Sequence, residues 1–195
     1  MIEMQNLFID TIRQLPHADI EKLTVELVKL RERGGRLFLI GNGGGQSHAS
    51  HAAADFRNLC GIDAHTVGDN VAYLTAQAND TSWDWAYIRW LESFNPTSKD
   101  AILVISVGGG SLDPKVSYNI VGGIGFGLGQ GCHIWGIVGA PGGYTAEHAC
   151  VCVTIPVLNP NYRTPVVEGV QSCVLHALVA DPRVAIKKAK WESIQ

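Results

Sequence analysis

The chain has 195 residues, 46% of them hydrophobic and 17% charged, which excludes a disordered polypeptide and leaves room for one domain with a sizeable core. Its 15 Lys and Arg stand against 18 Asp and Glu, a net charge of −3, so nucleic-acid binding driven by overall charge is excluded and any anionic ligand has to be held locally. Leu7, Ile9, Ile12 and Leu15, then Ile20, Leu23, Leu27 and Leu30, recur mostly every three or four positions. That spacing predicts two amphipathic helices within residues 1–33, parted by Pro16 and stopped by Gly34 and Gly35. Residues 36–40 form a short apolar run that ends in the glycines of 41–45, the pattern of a buried parallel strand before a sharp turn.

The Ala- and His-rich stretch 46–59 contains no proline and is expected to be a helix packed on that strand. Strand, glycine turn and helix then recur: 101–105 is a second strand, 108–110 a second glycine turn, and Ser111 opens a further helical stretch. Residues 133–138 and 151–155 are further strands. Thr164 as cap and Pro165 at the first helical position start a last long helix, which Asp181-Pro182 stops after Ala180. This alternation predicts an α/β fold, a doubly wound three-layer sandwich around a parallel sheet of about five strands, with the N-terminal helices outside it, in a single domain over 1–195.

Cys60, Cys132, Cys150, Cys152 and Cys173 are odd in number and scattered through apolar runs, so they read as reduced core residues. No apolar run reaches the roughly 18 residues of a membrane span, and no basic stretch followed by an apolar one opens the chain. A cytoplasmic location follows by default, with neither membrane nor nucleic acid as partner.

In open α/β sheets, ligands settle at the carboxyl ends of the strands, where a glycine turn exposes backbone N–H groups at a helix N-terminus. Both glycine turns hold that position, and either can also be no more than a tight turn. The first lacks the dinucleotide spacing and the lysine of a P-loop, which disfavours NAD and ATP. His51 and Asp55, four apart on a helix, share a face and can chelate one metal ion or act as a proton-transfer pair. Glu168 and His176, eight apart, are separated by about 80° around their helix, and Glu168 stands among valines, where an unpartnered carboxylate is costly. Trp83, Trp85, Tyr87 and Trp90 suit helix packing or a subunit contact, with sugar stacking as the alternative. Lys187, Lys188 and Lys190 read as a solvated helix end. His48, His65, His133 and His148 form no pattern.

Taken together, the Gly-Asn-Gly-Gly turn of 41–44, His51, the carboxylate of Asp55, Asn79-Asp80, the Ile105-Ser106 strand end with Ser111 beyond it, and His176 resemble the SIS (sugar isomerase) family, and within it the phosphoheptose isomerases. The resemblance covers nearly the whole chain and implies an SIS-type, flavodoxin-like fold whose helices within 1–33 pack into a homotetramer. It implies an aldose–ketose isomerisation of a small phosphosugar, sedoheptulose 7-phosphate to D-glycero-D-manno-heptose 7-phosphate, through an enediol. It further implies zinc held by His51, Asp55, Glu168 and His176, with Asp55 and His176 as the catalytic acid–base pair. Substrate binding would fall to Asn42, Gly43 and Gly44 for hydroxyls, Asn79 and Asp80 beside the reacting end, Ser106, Gly108 and Ser111 for the anionic end, and Glu168.

The chain departs from the family at several of these positions. Asp55 replaces a glutamate and Glu168 a glutamine, which adds a formal negative charge to the ligand set. Gly45 replaces a serine, and Ser106-Val107-Gly108 replaces a Ser-Thr-Ser run, so three hydroxyl donors of the phosphate cradle are missing. Two other functions share the resemblance: a non-catalytic SIS module that binds a sugar phosphate or a protein, and an isomerase of a different sugar derivative.

Overall fold

The computed structural model describes residues 2–194; Met1 and Gln195 lie outside the described residues. Five short runs pair into one parallel sheet: β1 (Arg36–Gly41), β2 (Asp63–Thr66), β3 (Ala101–Ser106), β4 (His133–Gly139) and β5 (Val151–Ile155), in the order β2-β1-β3-β4-β5. Side chains alternate across a strand, so each strand serves two cores. Leu37, Leu39, Leu103, Ile105, Ile137 and Val153 face α2 (His17–Glu32), α3 (Gly44–Cys60) and α8 (Arg163–Ala180), with α1 (Ile2–Arg13) packed beyond. Phe38, Ile40, Ile102, Val104 and Ile134 face the opposite way, onto α5 (Ala86–Phe94) and α6 (Tyr118–Gly129). The result is the α/β three-layer sandwich that the strand–glycine–helix alternation predicts. Three shorter helices complete it: α4 (Val71–Asp80), α7 (Gly143–His148) and α9 (Lys190–Ser193).

The chain leaves β1 for β2 on one side and returns to β3 on the other, which makes the gap between β1 and β3 the topological switch point where ligand crevices form. Gly41 is paired with Ile105, and this register sets the two glycine turns side by side. The opposite, amino ends of the same strands are tied by Asp100. Its buried carboxylate accepts from the Arg36 backbone N–H at 2.8 Å, from Arg36 Nη2 at 2.8 Å and from the Thr97 N–H at 2.8 Å.

The structure corrects several expectations. β2 has no counterpart among the apolar runs, because its sequence Asp-Ala-His-Thr is polar and its edge position needs one neighbour only. No helix starts at Ser111. Pro114 keeps the residue before it out of the helical region, and Ser111 and Val116 instead exchange backbone hydrogen bonds of 3.0 and 3.1 Å across a turn, with α6 beginning at Tyr118. The last helix starts two residues earlier than expected, with Tyr162 at the cap position, so Thr164 and Pro165 lie in its first turn. All five cysteines are free, but Cys150 and Cys173 are exposed and not in the core. Burial pushes the Cys60 and Cys132 thiols up to about 11, which leaves them protonated and inert. Among the described residues no helix is long and apolar enough to cross a membrane.

Candidate active site

Helices α3 and α8 lie against the same face of the sheet and run in the same direction. Their contacts advance in step: Glu168 stands at Gly44, His176 at Asp55, and the Val179 carbonyl at Cys60. The facing surfaces carry the chemistry. Asp55 Oδ2 is 3.4 Å from His51 Nε2 and 4.0 Å from His176 Nδ1, and the two imidazoles stand 5.1 Å apart at 68°. One ligand atom from each of the three residues lies within 4.8 Å of the others. Two neutral nitrogens and one carboxylate oxygen, with further positions open, match the donor set of a catalytic zinc site. The imidazoles are more than half exposed while Asp55 is 22% exposed, so the carboxylate forms the floor of the site. The three residues open into a cleft of about 730 Å³ that continues past Leu59 and Val179 to Lys187 and Lys188.

Glu168, expected as a fourth ligand, does not join this cluster. It lies two turns before His176, about 12 Å along the helix, and its carboxylate fills the space left by the missing side chain of Gly44. A Cβ at Gly44 would stand 2.4 Å from it. That seat is the positive N-terminal end of α3, which supplies the compensation a carboxylate among valines requires. A residue without a pattern in the sequence does belong to the neighbourhood. His48 lines the depression beside His51, Asp55, Ser172 and His176, and its Nδ1 is buried without a hydrogen-bond partner. Its spacing of three from His51 is the signal that could have found it.

The glycine turns are braced from within. Asn42 Nδ2 donates to Asn119 Oδ1 at 3.0 Å, Asn119 Nδ2 donates back to Asn42 Oδ1 at 2.8 Å, and the Tyr87 hydroxyl is 2.9 Å from the same Asn42 oxygen and bonded to the Gly41 carbonyl. Burial holds the Tyr87 phenol well above its ordinary pKa, so it remains a donor. The Asn42 side chain is therefore a brace of the first turn, and Asn119 and Tyr87 are the partners that sequence reasoning missed. Asn119→Ala should lower stability by about 2–3 kcal/mol, the cost of leaving buried polar groups unpaired. A urea titration showing less than about 0.5 kcal/mol would contradict the brace.

At the second turn, Ser106 Oγ accepts from the Gly109 N–H at 3.1 Å, Thr145 Oγ1 donates to the Gly109 carbonyl at 2.7 Å, and Ser111 Oγ donates to the Asp113 carbonyl at 3.1 Å. Buried Gln171 donates to the carbonyls of Ser106 and Ile137, both at 2.9 Å. Gly45 cannot carry the serine of the family on this backbone, because a Cβ there would stand 2.3 Å from the Ile105 carbonyl oxygen. Asn79 and Asp80 end α4, exposed and bonded to each other at 2.9 Å. Trp90 and Tyr87 are buried in the core, whereas Trp83 and Trp85 are about half exposed.

No protein-family model matches the chain. It is 27% identical to the phosphoheptose isomerase of Roseiflexus sp. (strain RS-1) over 164 residues, 82% of this chain and 78% of that protein. It is 25% identical to the phosphoheptose isomerase of Aneurinibacillus thermoaerophilus over 181 residues, 90% of this chain and 86% of that protein. Its fold superimposes on phosphoheptose isomerase GmhA from Neisseria gonorrhoeae with a TM-score of 0.77 at 20% identity, covering 91% and 92% of the two chains. In sequence and in fold the chain is similar to phosphoheptose isomerases. Its pair of helices α3 and α8 carries the ligand-type side chains, and Gly45, Val107 and Gly108 bring no hydroxyl to the glycine turns, whereas Ser106 and Ser111 do.

Proposed function

We propose that this chain is an isomerase of the SIS family that interconverts an aldose and a ketose phosphate, with sedoheptulose 7-phosphate as the substrate that its phosphoheptose isomerase relatives suggest. A half-buried carboxylate, Asp55, placed between two exposed imidazoles at the mouth of a cleft is the observation that carries the reading. Asp55 takes the proton from the carbon next to the carbonyl while His176 gives one to the carbonyl oxygen, which forms the enediol. His176 then recovers a proton from the other enediol hydroxyl, and Asp55 returns its proton to the neighbouring carbon, so that the carbonyl has moved by one position. His51, Asp55 and His176 would hold a zinc ion, whose chemistry is Lewis-acid polarisation of the substrate oxygens.

The same reading places the enzyme in the cytoplasm as a homotetramer. Ile2, Ile9 and Ile12 leave an apolar stripe on α1 exposed, which a second copy would cover. A light-scattering mass well above the 21.0 kDa of one chain is expected. The decisive experiment combines elemental analysis of the purified protein with an isomerisation panel of sugar phosphates. Turnover of a heptose or related phosphate, lost on chelation, supports the reading. Binding of a sugar phosphate with no turnover of any would favour the non-catalytic module.

A further inference from the structure

We propose that the anionic end of the substrate is received by Lys187 and Lys188, at the far end of the cleft from the glycine turns. This rests on the phosphosugar reading above, and four observations carry it.

Several groups that could seat an anion at the glycine turns are already engaged or lie beside a carboxylate. The Glu168 carboxylate covers Gly44 at the start of α3, so a second anion there meets a fixed negative charge. At the second turn the Gly109 N–H is already bonded to Ser106 and the Ser111 hydroxyl to Asp113, and the depression beside them is bordered by Asp113 and Glu147.

The cleft that contains the Asp55 site leads the other way. It runs along α3 towards its C-terminal end, where Leu59, one helical turn or about 6 Å beyond Asp55, meets the segment that follows α8. A sugar phosphate covers that span.

The lysines are held there by a built path. The N–H groups of Ile186 and Lys187 both donate to the Leu59 carbonyl, at 2.8 and 3.1 Å. Arg31 reaches from α2 to bond the carbonyls of Cys60, Arg183 and Val184, which fixes the approach of the segment to α3.

Finally, neither ammonium is in an ion pair among the described residues, and Asp55 and Glu192 are the acidic residues that line the cleft with them. Two free cations facing an acid–base cluster are suited to a phosphate monoester, whose charge accepts hydrogen bonds from ammonium groups.

The test is the double variant Lys187→Ala/Lys188→Ala, both exposed positions, with circular dichroism to confirm the fold. Its KM for sedoheptulose 7-phosphate should rise about tenfold or more with kcat nearly unchanged. Calorimetric binding of inorganic phosphate should be lost in parallel and restored in Lys187→Arg/Lys188→Arg. Lys99→Ala, an exposed position just before β3 at the amino ends of the strands, should leave both unchanged. Wild-type phosphate affinity in the double alanine variant, or its loss in Ser111→Ala alone, would overturn the proposal. A wild type that binds inorganic phosphate through these lysines and isomerises no sugar phosphate would refute the isomerase reading and leave the anion site standing. A wild type that isomerises but keeps its KM in the double variant would do the reverse.

Discussion

Asp55→Ala and His176→Ala should each lower kcat for sugar-phosphate isomerisation by about 10²–10⁴-fold, the usual contribution of a positioned acid or base. The expectation follows from the separation of roles. Asp55 is the carboxylate within 4.0 Å of both imidazoles, so no neighbour can replace it as base, and His176 stands on another helix where His51 cannot take its place beside the substrate oxygens. Metal content separates the two ways in which activity can fall. His51→Ala should reduce bound zinc and turnover together, whereas Asp55→Asn keeps an oxygen ligand of the same reach and removes the base. Steady-state kinetics with zinc analysis on the four variants check this, and unchanged turnover in His176→Ala would remove that residue from the mechanism.

Asp100→Asn should destabilise the fold by about 3 kcal/mol, which for a domain of this size lowers Tm by about 6–12 °C. Burial works to raise the Asp100 carboxyl, but hydrogen bonds from Arg36 and Thr97 outweigh it and hold the pKa below the ordinary value. An amide keeps the shape yet turns an N–H₂ towards donors, and Arg36 loses its counter-charge. The sign with pH follows from the lowered value. The contribution of Asp100 is fully present above its unfolded pKa of about 3.9 and is lost as pH falls through the lower folded value. Wild type should therefore lose stability below about pH 4 more steeply than Asp100→Asn, and thermal melts across that window decide it. Parallel slopes would show that the carboxylate is not held in its charged form.

The fold was legible wherever a core strand wrote itself as an apolar run. β1, β3, β4 and β5 are buried on both faces or nearly so, and each ends in a turn or polar break. β2 was not, because its four residues Asp-Ala-His-Thr bury only Ala64 and Thr66 and make no apolar run. Of the candidate site, the His51–Asp55 pair was legible from helical spacing alone. The position of His176 beside it depends on how α8 lies along α3, which spacing within one helix does not contain. Glu168 lies at the other end of that groove from His176, a place set by the absent side chain at Gly44 and so not readable from spacing along α8. Lys187 and Lys188 read as a solvated end because a cleft exists only once Leu59 and the segment after α8 meet.

The parallel run of α3 and α8 has a consequence for biosynthesis. Asp55 and His176 are separated by about 120 positions of chain, and the sheet strands β2 to β5 are all made between them. A nascent chain can close the first crossover around β1, α3 and β2 from local segments, but Asp55 and His176, the acid–base pair of the proposed mechanism, come together only when the final long helix docks, after a long loop closure. On that mechanism a partly folded chain should be chemically silent. Turnover should appear only with the completed tertiary structure, which makes the recovery of activity after dilution from urea a direct clock for the last packing step.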